Sequence, residues 1–108
     1  MPSLKLHILE SVVGPRAVEE IEQKIRSRFK LLDSETKREA VLSILVCEGE
    51  CGADARPYWM EVRCSKETAL EKVVKIVNHF SPYADVEAFH PQTGAFTFVP
   101  EGGYISEL

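Results

Sequence analysis

MPSLKLHILE, residues 1–10, is the stretch on which the reading of this chain turns. Leu4, Leu6 and Ile8 alternate with Lys5 and His7, the period of two that gives a β-strand one buried and one polar face. Pro2 stands directly before this strand and follows Met1. Removal of a methionine that precedes proline would leave a secondary amine at the chain terminus. An α-amino group titrates at roughly pKa 8, and apolar burial beside positive charge would lower that value. Such a group can move protons at neutral pH without a histidine. A retained Met1 would instead make Pro2 an internal imide with no titratable nitrogen.

Beyond the strand, Gly14-Pro15 punctuates the chain, and Val18, Ile21, Ile25, Phe29 and Leu32 recur at helical spacing. Asp33 to Glu39 reads as a polar connector. Ala40 to Cys47 (AVLSILVC) is a continuous apolar run, expected as a central strand. Glu48 to Arg56 is a polar, glycine-bearing loop, and Pro57 to Cys64 alternates as another strand. Ser65 is the expected N-cap of a second helix that carries Leu70, Val73, Ile76, Val77 and Phe80. Asp85 to His90 and Ala95 to Val99 are strands about the turn Pro91–Gly94, and the tail Pro100–Gly103 is expected to be mobile.

The order is β-α-β, then β-α-β with an added hairpin strand: one α+β domain over residues 1–108, with units at 1–48 and 57–99. The halves echo each other. Shifted by 51 positions, Lys24-Ile25 and Phe29 fall on Lys75-Ile76 and Phe80. Two architectures fit. One joins two tandem β-α-β units in a sheet with both helices on one face. The other is a ferredoxin-like sandwich, in which the second and third strands form a hairpin.

Composition narrows the function classes. Hydrophobic residues are 44% and charged residues 28%, ordinary for a globular domain. No apolar run reaches the roughly 18 residues of a membrane span, and a signal-peptide pattern is missing. The expectation is a cytoplasmic protein with no membrane partner. A net charge of −4 argues against nucleic acid, which needs a basic surface. Lys24, Arg26, Arg28, Lys30, Lys37 and Arg38 are interleaved with glutamates and read as a solvated helix face. Cys47, Cys51 and Cys64 are read as free thiols, because no second closely spaced pair completes a zinc set. Neither a metal nor a cofactor is expected.

The start of the chain resembles the 4-oxalocrotonate tautomerase family. Pro2, His7, Ile8, Leu9 and Glu10 stand in its register, and Gly14-Pro15-Arg16 is similar to the Gly-Arg that leads into its first helix. The doubled β-α-β order resembles the macrophage migration inhibitory factor branch of that superfamily. The resemblance implies a homotrimer in which the bare sheet face packs against sister subunits. It implies an isomerase that moves a proton on a small 2-oxo or enol acid, with Pro2 as the base. Arg16 would hold the substrate carboxylate, although it stands some three residues further from Glu10 than in the family pattern. Arg38 is nearest to a second arginine, whose usual strand position is here Ser43 or Leu42. Trp59 would supply aromatic lining, although a lone strand tryptophan also reads as packing. The alternative is a non-catalytic ferredoxin-like module that binds a small ligand or a protein.

Overall fold

The structure, a computed structural model, describes residues 2–47 and 56–106. Its sheet has five strands in the order β2-β1-β3-β4-β5, made by β1 (Ser3–Leu9), β2 (Val41–Cys47), β3 (Tyr58–Arg63), β4 (Asp85–His90) and β5 (Ala95–Val99). β1 runs parallel to β2 and antiparallel to β3, β3 runs parallel to β4, and β4 returns antiparallel as β5. The helices are α1 (Glu10–Val13), α2 (Pro15–Lys30), α3 (Ser34–Glu39) and α4 (Leu70–Phe80). The fold is α+β with one mixed sheet.

The alternation in β1 does what its chemistry requires. Leu4, Leu6 and Ile8 are fully buried, while Ser3, Lys5 and His7 face the other way. Through the register, Met60 and Val62 of β3 and Val86 and Ala88 of β4 share the buried face. Ile21 and Ile25 of α2 and Val73, Ile76, Val77 and Phe80 of α4 close over that face in one core. Burial of such side chains contributes about 1.5–3 kcal/mol each. The opposite face carries Lys5, His7, Trp59, Glu61, Glu87 and Phe98, and none of these joins the core.

β2 is an edge strand, not the central one its apolar run suggests. An unbroken run signals burial on both faces only when both faces are covered; here Val41 and Leu45 are 51% and 46% exposed. The ferredoxin-like hairpin is not formed, because β1 lies between β2 and β3. The connection over residues 48–57 is longer than the two to five residues or so of a tight hairpin, so it can step across a strand.

Three local expectations are also corrected. Asp33 to Glu39 is no plain connector: Asp33 caps α3 by accepting the Thr36 N–H at 3.0 Å. Only Thr36 of that helix is buried, so it leaves no apolar period to read. Ser65 does not cap α4, which starts at Leu70 behind Ala69. The tail is tied down. Glu101 N–H donates to Asp85 Oδ1 at 2.7 Å, and Gly102 N–H donates to the Ser81 carbonyl at 2.6 Å. Ser81 Oγ donates to the Gly103 carbonyl at 2.8 Å.

Candidate functional site

Pro2 is buried at the head of β1, where its carbonyl accepts the Val41 N–H at 3.1 Å. The register decides what gathers around it. Ser3 lies opposite both Val41 of β2 and Arg63 of β3. The chain entering β2 and the chain leaving β3 therefore both pass Pro2. The first brings Glu39 at the end of α3. The second brings the turn from Ser65 to Ala69, and then Lys72 in the first turn of α4. Together Pro2, Glu39, Ser65, Glu67, Thr68, Ala69 and Lys72 line a cavity of about 450 Å³, within the usual size of small-ligand pockets.

The turn from Ser65 to Thr68 is braced by its own hydrogen bonds and by β4. Ser65 Oγ and Thr68 Oγ1 share a hydrogen bond of 3.2 Å, and Thr68 N–H donates to the Ser65 carbonyl at 3.1 Å. The Thr68 carbonyl lies 2.8 Å from Nε2 of His90, which is fully buried in β4. A carbonyl can only accept, so that nitrogen carries the proton. His90, which has no partner pattern in the sequence, thus sets the position of the turn.

Lys72 is the one cation among the described lining residues, and its Nζ lies 2.5 Å from Glu39 Oε2. That hydrogen bond pulls the Glu39 carboxyl below its ordinary range, aided by the lysine charge. It pushes the Lys72 ammonium up, with Glu35 and Asp33 adding to the effect, while desolvation opposes both shifts. The pair is fully ionised at neutral pH. Glu67 borders the cavity but is exposed. Cys64, just before the turn, is buried, and burial pushes its thiol up, so it is protonated at neutral pH. Cys47 is exposed at the end of β2, and Cys51 lies outside the described residues. Among the described residues no three His, Cys, Asp or Glu side chains come together, and no helix is long and apolar enough to cross a membrane.

Of the candidate catalytic and binding residues, Pro2, Arg16, Arg38 and Trp59, the cavity takes in Pro2 alone. Arg16 is exposed at the start of α2, beyond the other end of β1. At about 3.3 Å per residue that strand separates it from Pro2 by roughly 20 Å. Arg38 is exposed on α3 beside Glu39, without lining the cavity. Trp59 sits on the open face of β3, stacked on His7 with ring centroids 4.6 Å apart. Lys72, Glu39 and Thr68 are not among the candidate site residues. Their signal is indirect: once β1 lies between β2 and β3, whatever precedes β2 and whatever follows β3 must meet Pro2.

Models of known protein families, curated proteins and solved structures were compared with the chain, and none matches it.

Proposed function

We propose that this chain is a tautomerase-like isomerase that moves a proton on a small 2-oxo or enol acid, with the Pro2 amine as base once Met1 is removed. The observation that carries this reading is the burial of Pro2 against a cavity that also holds Lys72. In the ketonisation direction, the neutral Pro2 amine takes the enol O–H proton as the oxygen's electron pair forms the C=O bond. The carbon of the double bond then takes a proton from the resulting Pro2 ammonium, which returns the amine to its neutral form. In the reverse direction, the neutral amine removes a proton from that carbon. Nothing is oxidised or reduced, and no co-reactant is consumed. The sheet order also supports a scaffold of two tandem β-α-β units, because each parallel pair brackets one long helix.

Assembly as a homotrimer draws support from the uncovered sheet face and from the apolar edge β2. Val41, Leu45, Phe96 and Phe98 are all exposed there, and unprotected edges of this kind invite pairing. A second reading, a non-catalytic binding module, rests on the groove of about 350 Å³ between α2 and β2, lined by Arg26, Phe29, Lys30 and Leu42.

The deciding experiment joins an intact N-terminal mass to ketonisation of phenylenolpyruvate. A chain that begins at Pro2, turns over the enol acid and loses that turnover on Pro2→Ala supports the isomerase. A chain that retains Met1 in its native host, or turnover indifferent to Pro2→Ala, removes the proposed base.

A further inference from the structure

We infer that Lys72 anchors the carboxylate of the ligand in the Pro2 cavity, and that Glu39 is an internal counter-ion which the ligand carboxylate displaces. The inference rests on the isomerase reading for the identity of the ligand, but its geometry stands apart from the chemistry. Lys72 Nζ is held 2.5 Å from a carboxylate oxygen of Glu39 at the cavity wall. The site is therefore already arranged to bind a carboxylate, and its present occupant is one of the chain's own.

Three observations make the exchange favourable. The Glu39 side chain is half exposed, so it returns to water when released, and ion pairs this close to solvent contribute little net stability. Lys72 is more enclosed, with 23% of its side chain exposed, and keeps its place on the first turn of α4. The start of α4 has no side-chain cap. Lys72 N–H bonds back to the Ala69 carbonyl at 3.0 Å, which leaves the Leu70 and Glu71 N–H groups to carry the positive end of the helix, where negative charge is favoured. The cavity that Lys72 borders is also lined by Ala69 just before α4, by Ser65 and Thr68, and by Pro2.

Arg16 and Arg38, the arginines expected to hold such a group, do not line the cavity. Lys72 takes that part within a single chain. Glu39 then acts as a selectivity device: a neutral ligand cannot replace it on Lys72, whereas an acid can.

The test is equilibrium binding of phenylpyruvate and of its methyl ester, with ketonisation of phenylenolpyruvate followed in parallel. Wild type should bind the acid more tightly than the ester. Lys72→Met should weaken acid binding by on the order of ten- to a hundredfold and leave the ester unchanged. Lys72→Arg should restore most of the acid preference. Glu39→Gln should tighten acid binding by roughly two- to fivefold, again without effect on the ester. A purely structural role for the pair would move acid and ester together, and thermal melts of all three variants identify any that unfold. Wild type that fails to prefer the acid, or Lys72→Met that binds it as wild type does, overturns the inference. If the binding pattern holds but ketonisation is missing or indifferent to Pro2→Ala, Lys72 stands as the anchor and the isomerase reading falls. If turnover depends on Pro2 while Lys72→Met leaves KM unchanged, the isomerase stands and the anchor falls.

Discussion

Arg28 and His79 each hydrogen-bond the backbone carbonyl of the other: Arg28 Nε lies 2.9 Å from the His79 oxygen, and His79 Nε2 lies 2.7 Å from the Arg28 oxygen. They are 51 positions apart, the same offset at which the two helices echo each other in sequence. A residue of α2 and its counterpart in α4 thus make the same bond in opposite directions. Reciprocity of this kind is what an approximate two-fold axis between the halves produces.

The bond has a pH signature. Burial lowers the His79 pKa, and the nearby Arg28 charge works in the same direction, while the hydrogen bond to the Arg28 carbonyl opposes them. The folded-state value lies below the unfolded one, so stability is complete above the ordinary imidazole value of 6.5 and is lost as pH falls through the folded value. Thermal melts should show Tm dropping as pH falls below the ordinary imidazole value, above the range in which Asp33 and Glu39 protonate. His79→Gln keeps a donor but cannot take a proton, and should flatten that slope. An unchanged slope would assign the pH dependence elsewhere.

Pro2→Ala in the methionine-free protein should lower kcat for ketonisation of phenylenolpyruvate by between about a hundred- and ten-thousandfold. Far-ultraviolet circular dichroism and Tm should change little by comparison, because Val41 bonds the carbonyl of residue 2 and not its ring. A Pro2→Ala protein that retains its rate denies the proline a role as base.

Phe80 is fully buried at the end of α4, within the core under the sheet. Phe80→Ala should cost about 3–5 kcal/mol, read from urea unfolding. A loss below about 1 kcal/mol would mean that the site collapses around the deletion far more than usual.

Gly103 allows the tail to turn back onto Ser81. A Cβ there would stand 2.8 Å from the Pro100 carbonyl oxygen and 2.9 Å from Val99 Cγ1. Gly103→Ala should therefore destabilise the fold by about 1–3 kcal/mol. A tail free to move would accept the methyl group, and the melting curve would stay in place.

Leu45→Lys tests the assembly. Leu45 is 46% exposed on the edge strand and contributes nothing to the core, so the charge should leave the Tm of an isolated subunit within the small range of surface substitutions. If the protein assembles as a trimer and β2 is where its subunits meet, sedimentation velocity should show smaller species for Leu45→Lys than for wild type. An oligomer that survives Leu45→Lys does not use this edge.

Much of the fold was legible because local chemistry and global position agree. β1 alternates because one face is core, α4 is strongly amphipathic because it lies flat on the sheet, and Pro91–Gly94 turns between two short strands. β2 misled because its apolar residues report contact surface without saying whose surface covers it. α3 was hidden because a capped polar helix carries no apolar period. The cavity was legible only at Pro2. Lys72 and Glu39 are unremarkable surface residues in sequence, and only the pairing of β1 with β2 on one side and β3 on the other brings them to one place.

β3 runs parallel to β4 as β1 runs parallel to β2, so the sheet has a second strand start to set beside the Pro2 end, and the two differ. At the second, Pro57 opens β3 as Pro2 opens β1, but its nitrogen is bonded to Arg56. Tyr58 stoppers that end: its hydroxyl accepts from Lys24 Nζ at 3.0 Å and donates to Glu101 Oε1 at 3.0 Å. Loss of Met1 can free the nitrogen of Pro2 but never that of Pro57, so two strands that open on the same residue type differ in the one property that amine chemistry requires.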